Sequence, residues 1–155
     1  MAPRYTILIA DDEPGVRQVV HLTIAADAYL VLEAVDGDDA WDTLQVCRPD
    51  VVLLDVRMPG RDGFALTRAI RADPLLAATR VILLTGRHEP EAIAEGRAAG
   101  ADHYLTKPFS PLHLLATIAA CLDDARERGG GESRLLDLAP SPPAVPALPG
   151  AGLAG

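Results

Sequence analysis

Short, nearly unbroken apolar runs alternate along this chain with longer stretches of helical periodicity, and that alternation governs what it can fold into. Tyr5-Thr6-Ile7-Leu8-Ile9-Ala10, Val51-Val52-Leu53-Leu54-Asp55 and Arg80-Val81-Ile82-Leu83-Leu84-Thr85 are rich in Val, Ile and Leu, as strands covered on both faces should be. Tyr29 to Val35 and Asp102 to Thr106 are weaker strand candidates. Pro14 to Ala26 carries Val16, Val19, Val20 and Ile24 on one helical face, with Pro14 where a first turn tolerates it. Asp38 to Val46 and Phe64 to Ala72 read as two more helices, the second with Asp62 as N-cap. With Glu91 to Ala99 and Pro111 to Arg128, five strands alternate with five helices. This predicts an α/β fold, a five-stranded parallel sheet wound on both faces through right-handed crossovers.

The runs also end alike, in Asp11-Asp12, Asp55, Thr85 and Lys107. In neighbouring parallel strands these ends share one edge, bringing three carboxylates together. Such groups repel by roughly 4 kcal/mol per pair at 4 Å and an effective dielectric of 20, so something must compensate. A hard divalent cation with oxygen ligands does so, and Mg2+ suits a few carboxylates that leave positions open for water and phosphate. Phosphoryl chemistry is the expectation.

A formal net charge of −8 argues against an electrostatic grip on nucleic acid or an anionic membrane. Protein partners or a cation suit it better. Cys47 and Cys121 lack metal or redox spacing and read as buried free thiols in a reducing cytoplasm. No apolar run approaches a membrane span, and the Tyr5 to Ala10 stretch is too short for a signal-peptide core.

Glu91 to Ala99 has Ile93 as its one large apolar anchor and contains Gly96, which costs about 1 kcal/mol relative to Ala, so it should be the loosest helix. In Pro111 to Arg128 the stripe of Leu114, Ile118, Cys121, Leu122 and Ala125 is widened by Leu112, Leu115 and Ala119. The surplus is either a partner surface or the mark of a deeply seated helix. From Gly129-Gly130-Gly131 to Gly155 the chain is rich in Gly, Pro and Ala, which predicts a disordered tail (129–155) after a folded domain (1–128). Glu132 to Leu138 is one short amphipathic patch within it.

Four motifs now stand in order: Ile-Leu-Ile-Ala-Asp11-Asp12-Glu13-Pro14, Leu-Leu-Asp55-Val-Arg-Met58-Pro59-Gly60-Arg-Asp-Gly63, Ile-Leu-Leu-Thr85-Gly86 and Tyr104-Leu-Thr-Lys107-Pro108-Phe109. Together they resemble the receiver domain of two-component response regulators, over roughly residues 4 to 127. The resemblance implies flavodoxin-like strand order 2-1-3-4-5 with the site at the C-terminal edge of the sheet. It implies that Asp55 accepts a phosphoryl group from a sensor histidine kinase or phosphotransfer protein. Asp12, Asp55 and the backbone carbonyl of Arg57 would bind Mg2+, with Asp11 acting mainly through a coordinated water. Lys107 would pair with Asp55 and then with a phosphoryl oxygen, and its bond to Pro108 would be cis. Thr85, beside Gly86, would hydrogen-bond the phosphoryl group while Tyr104 rotates in response.

Arg57 and Arg87 occupy positions that in receivers flank the approach of hydrolytic water, so slow autodephosphorylation is expected; their ordinary alternative is solvated surface charge. The reading is a cytoplasmic, single-domain response regulator that assists only its own phosphorylation and hydrolysis. It would signal to a downstream protein target, with a homodimer through the fourth and fifth helices possible near Leu112 and Leu115. An aspartyl-nucleophile phosphatase of the haloacid-dehalogenase type would need an acid two residues after the nucleophile, where Arg57 stands. A nucleotide-binding flavodoxin-like domain would need a Gly-rich loop where Asp11-Asp12-Glu13-Pro14 lies. A receiver-like module that no longer takes phosphate is opposed by the complete set of site residues.

Overall fold

The strands fall where continuous apolar sequence demands burial on both sides. A computed structural model describes residues 5–25, 29–86 and 90–136, with no account of the side chains of 90 and 124–136. In order the elements are β1 (Thr6–Ala10), α1 (Pro14–Ala25), β2 (Leu30–Ala34), α2 (Gly37–Cys47), β3 (Val51–Asp55), α3 (Gly63–Ala72), β4 (Arg80–Thr85), α4 (Pro90–Ala99), β5 (His103–Thr106) and α5 (Pro111–Leu136). All pairings are parallel and the sheet order is β2-β1-β3-β4-β5, as expected. The chain divides into two compact units, Met1–Leu122 and Asp123–Gly155.

Two apolar cores lie on opposite faces of the sheet. Leu8, Val52, Leu54, Val81 and Leu83 pack with Leu44 of α2 and Leu66 and Ile70 of α3. Ile7, Ile9, Leu53, Ile82 and Leu84 pack with Val20 and Ile24 of α1 and Leu114, Ile118 and Cys121 of α5. Every residue of β3 and β4 is buried. Burying one such aliphatic side chain contributes about 1.5–3 kcal/mol, so these two strands anchor the sheet.

Local signals set the helix starts. Asp62 accepts a hydrogen bond from Ala65 N at 2.8 Å, the N-cap expected for α3, and Asp36 does the same for α2 through Asp39 N at 2.8 Å. At the N-terminal end of the sheet, Arg71 donates to the carbonyls of Gly100, Ala77 and Thr79 and meets Asp102 at 2.7 Å, tying α3 to the β5 entry.

Several expectations need correction. Val19 is 49% exposed, because the stripe facing the sheet is held by Val20 and Ile24. Cys121 is buried but Cys47 is exposed at the last residue of α2. The surplus face of α5 divides between its two open readings rather than overturning either: Leu112 is 79% exposed and Leu115 packs partly against the core. Helix α5 continues to Leu136, beyond the boundary expected at 128. Three glycines disfavour a helix but do not forbid one, and no proline intervenes before Pro140. The remainder of the expected tail, 137–155, lies outside the described residues.

Gly96 proves to be more than a weak point. A Cβ there would stand 2.7 Å from Leu83 Cδ1 and 2.8 Å from Tyr104 Cε1, so its missing side chain is the space in which the Tyr104 ring lies. Gly37 is similar: a Cβ would collide with the Arg61 backbone, and its N–H donates to Pro59 O at 3.1 Å. The start of α2 is thus locked to the loop that follows Asp55.

Candidate functional site

The parallel sheet delivers its C-terminal strand ends to one edge, and three carboxylates meet there. Oxygens of Asp11, Asp12 and Asp55 all lie within 4.8 Å of one another. Asp11 is fully buried and Asp55 is 6% exposed, whereas Asp12 is exposed. Asp11 Oδ1 accepts from Glu13 N at 2.9 Å, closing the turn into α1. Asp11 Oδ2 faces the Lys107 ammonium at 2.8 Å as an ion pair, but takes no hydrogen bond of good directionality. A buried anionic oxygen so placed, beside two further carboxylates, is a donor set that suits a hard divalent cation.

Lys107 also lies 3.1 Å from Glu13 Oε1 and 3.4 Å from Asp55 Oδ1. The ammonium therefore stands nearer Asp11 than Asp55, the partner expected from sequence. Asp11 is the most deeply buried of the carboxylates, so it has the greatest need of a counter-charge. Burial lowers the pKa of Lys107, but the close contacts to Asp11 and Glu13 and the charge of Asp55 outweigh it and raise the pKa, keeping the ammonium protonated. Burial pushes the Asp55 carboxyl up to about 7, the neighbouring charge of Asp11 adds to the rise, and Lys107 opposes it. Asp55 is thus poised between its two states near neutral pH, and added positive charge would shift it toward the ionised one.

Beside this cluster lies an open cleft of about 350 Å³ whose lining includes Arg57, Phe64, Thr85, Glu91 and Glu95. Thr85 is largely buried at the end of β4, and its carbonyl accepts from Lys107 N at 2.7 Å. Arg57 is exposed, with its backbone N–H 3.4 Å from Asp55 Oδ1. Gly86 is exposed and open around its α-carbon, while Arg87 lies outside the described residues. Tyr104 packs partly against the core and donates from its hydroxyl to Ile93 O at 2.7 Å. Burial raises its pKa, opposed by Arg97. The Lys107–Pro108 peptide is cis.

The structure therefore brings Asp11, Asp12, Asp55 and Lys107 together, and sets Thr85 and Arg57 on the adjoining cleft. Glu13 and Arg17 were not singled out in the sequence. Glu13 was legible as the third acid of its motif. Arg17 donates to the Asp11 backbone carbonyl at 2.7 Å, a contact that helical periodicity does not reveal.

A family model for the response regulator receiver domain matches residues 7–119. The phosphate regulon transcriptional regulatory protein PhoB of Pseudomonas aeruginosa is 38% identical over 128 residues, 83% of this chain and 55% of that protein. The transcriptional regulatory protein CseB of Streptomyces coelicolor is 36% identical over 132 residues, 85% of this chain and 55% of that protein. Among solved structures, the chemotaxis protein CheY4 of Vibrio cholerae superimposes with a TM-score of 0.74 at 36% identity, over 77% of this chain and 99% of that one. A sheet of this order, an acidic cluster at its C-terminal edge and these matches define the class: the chain belongs to the response regulator receiver domains of two-component signalling. It spans about half the length of the curated relatives it matches. Among the described residues, no helix is long and apolar enough to cross a membrane.

Proposed function

We propose that this protein accepts a phosphoryl group on Asp55 from a phosphohistidine of a histidine kinase or phosphotransfer protein in the cytoplasm. The observation that carries this is the convergence of Asp11, Asp12 and Asp55 within 4.8 Å beside the Lys107 ammonium. A carboxylate oxygen of Asp55 attacks phosphorus, the phosphorus–nitrogen bond breaks, and the imidazole leaves with its electron pair, giving an acyl phosphate. Asp11, Asp12, Asp55 and the Arg57 carbonyl would hold Mg2+, which supplies the charge that keeps Asp55 ionised and offsets that of the transferring group. Lys107 balances charge beside the same carboxylates, already protonated and held by ion pairs to Asp11 and Glu13. Thr85, at the cleft, donates its hydroxyl to a phosphoryl oxygen, and Tyr104 reads the resulting shift of the β4–α4 segment. Arg57 shields the acyl phosphate from water.

The same reading makes the output a phosphorylation-dependent contact with a protein target, and the exposed Leu112 supports a contact surface, including a homodimer, on the α4 and α5 side. Its only turnover is on itself. Incubation with acetyl phosphate and MgCl2 should yield phosphate on Asp55 that survives acid and is released by base. Asp55→Asn, or EDTA, should abolish it. Unlabelled wild-type protein under these conditions would refute the reading.

A further inference from the structure

Arg17 stands outside the acidic cluster but is fastened to it. Its guanidinium Nη1 donates to the backbone carbonyl of Asp11 at 2.7 Å, while Nε donates to Glu33 Oε1 at 3.3 Å. Glu33, on β2, is gripped on its other oxygen by His21 Nδ1 at 2.7 Å. Arg17 and His21 lie one helical turn apart on α1 and so close on Glu33 from the same side. The Arg17 side chain is only 15% exposed, and a planar fork with donors in fixed directions has little freedom once two of them are engaged. The β1–α1 turn that presents Asp11 and Asp12 is therefore pinned at its carbonyl to α1 and β2.

We infer that Arg17 is a positioning residue for divalent-cation binding: it sets the backbone from which Asp11 and Asp12 project, with Glu33 orienting its guanidinium. The inference rests on reading the acidic cluster as a cation site. Two effects of Arg17 oppose each other, which makes the sign of a measurement decisive. As a nearby positive charge it repels a cation, so by charge alone its removal should tighten binding. As a brace it aligns the carboxylates, so its removal should loosen binding; losing a group that orients metal ligands commonly weakens affinity by about 10- to 100-fold.

Isothermal titration calorimetry with MgCl2, a readout independent of phosphorylation, would compare wild type, Arg17→Gln, Arg17→Lys and Glu33→Gln. Weaker Mg2+ binding is expected in Arg17→Gln, by about tenfold. Arg17→Lys, which keeps the charge but loses the fork, should also fall well below wild type, and Glu33→Gln should lie between. Thermal melts in EDTA provide the control for folding. Unchanged or tighter binding in Arg17→Gln overturns the inference, as does full rescue by lysine. Absence of Mg2+ binding by the wild type would instead overturn the cation-site reading.

Discussion

The Tyr104 hydroxyl donates to the backbone carbonyl of Ile93 at 2.7 Å, so the last strand is latched to the first turns of α4. That latch depends on Gly96. Replacing Gly96 with Ala places a methyl group within 2.8 Å of the ring and 2.7 Å of Leu83. A cost of roughly 1–3 kcal/mol in urea unfolding is expected. The Tyr104 pKa should fall back toward its ordinary value as the ring is expelled from its half-buried position. In a Tyr104→Ala background the same substitution should cost measurably less, since one of the two clashing partners is gone.

Asp55 makes stability depend on pH in a particular direction. Its folded pKa of about 7 lies above the ordinary 3.8, so the folded protein holds this proton more tightly than the unfolded chain. The resulting stabilisation is complete below about pH 4 and is lost as pH rises to 7. In EDTA, Asp55→Asn should therefore gain on the order of 1–3 kcal/mol over wild type at pH 8 and almost nothing near pH 4. Urea denaturation at the two pH values checks this. Adding MgCl2 should erode the advantage at pH 8, because a cation stabilises the ionised wild-type site.

Removing Lys107 leaves Asp11 buried without its counter-charge. Lys107→Met should destabilise the metal-free protein by roughly 2–4 kcal/mol at neutral pH. Saturating MgCl2 should restore part of the loss while phosphorylation by acetyl phosphate stays low. Paired melting curves and phosphorylation assays separate the two consequences.

Arg57 lines the cleft beside Thr85 and is exposed; under the proposed function its side chain would shield an acyl phosphate on Asp55 from water. Arg57→Ser should shorten the phosphoryl lifetime severalfold, measured as loss of phosphate after removal of the donor. An unaltered lifetime would make Arg57 a solvated surface charge.

Arg71 offers a contrast, since it lies at the opposite end of the sheet. Its guanidinium satisfies three carbonyls and Asp102, and Arg71→Met should cost roughly 2–4 kcal/mol in unfolding experiments. The rate of phosphorylation by acetyl phosphate should stay close to wild type at temperatures where the variant is folded.

The parts of this molecule that could be read in advance are those written in contiguous sequence. Strands β3 and β4 begin and end where Val51–Asp55 and Arg80–Thr85 suggested, because burial on both faces leaves no other composition for them. The polar residues ending those runs announced the acidic edge for the same reason. What escaped depends on segments distant in sequence that meet only after folding. Gly96 looked like a defect in α4 until Tyr104 filled the space beside it, and Gly37 carried no signal until the Arg61 backbone came against it. The preference of Lys107 for Asp11 is likewise a matter of relative burial, which periodicity does not encode.

Strand β3 is clamped from both faces, with Val52 and Leu54 in one core and Val51 and Leu53 in the other. The carboxylate at its end is accordingly a fixed reference point. On the proposed reading, a phosphoryl group on Asp55 would act from that fixed point on the groups around it. Helix α4, on the cleft side, adds the small Ala92 to the flanking core, so under that reading it is the element displaced at least cost, and the fold gives the chemical event a preferred direction.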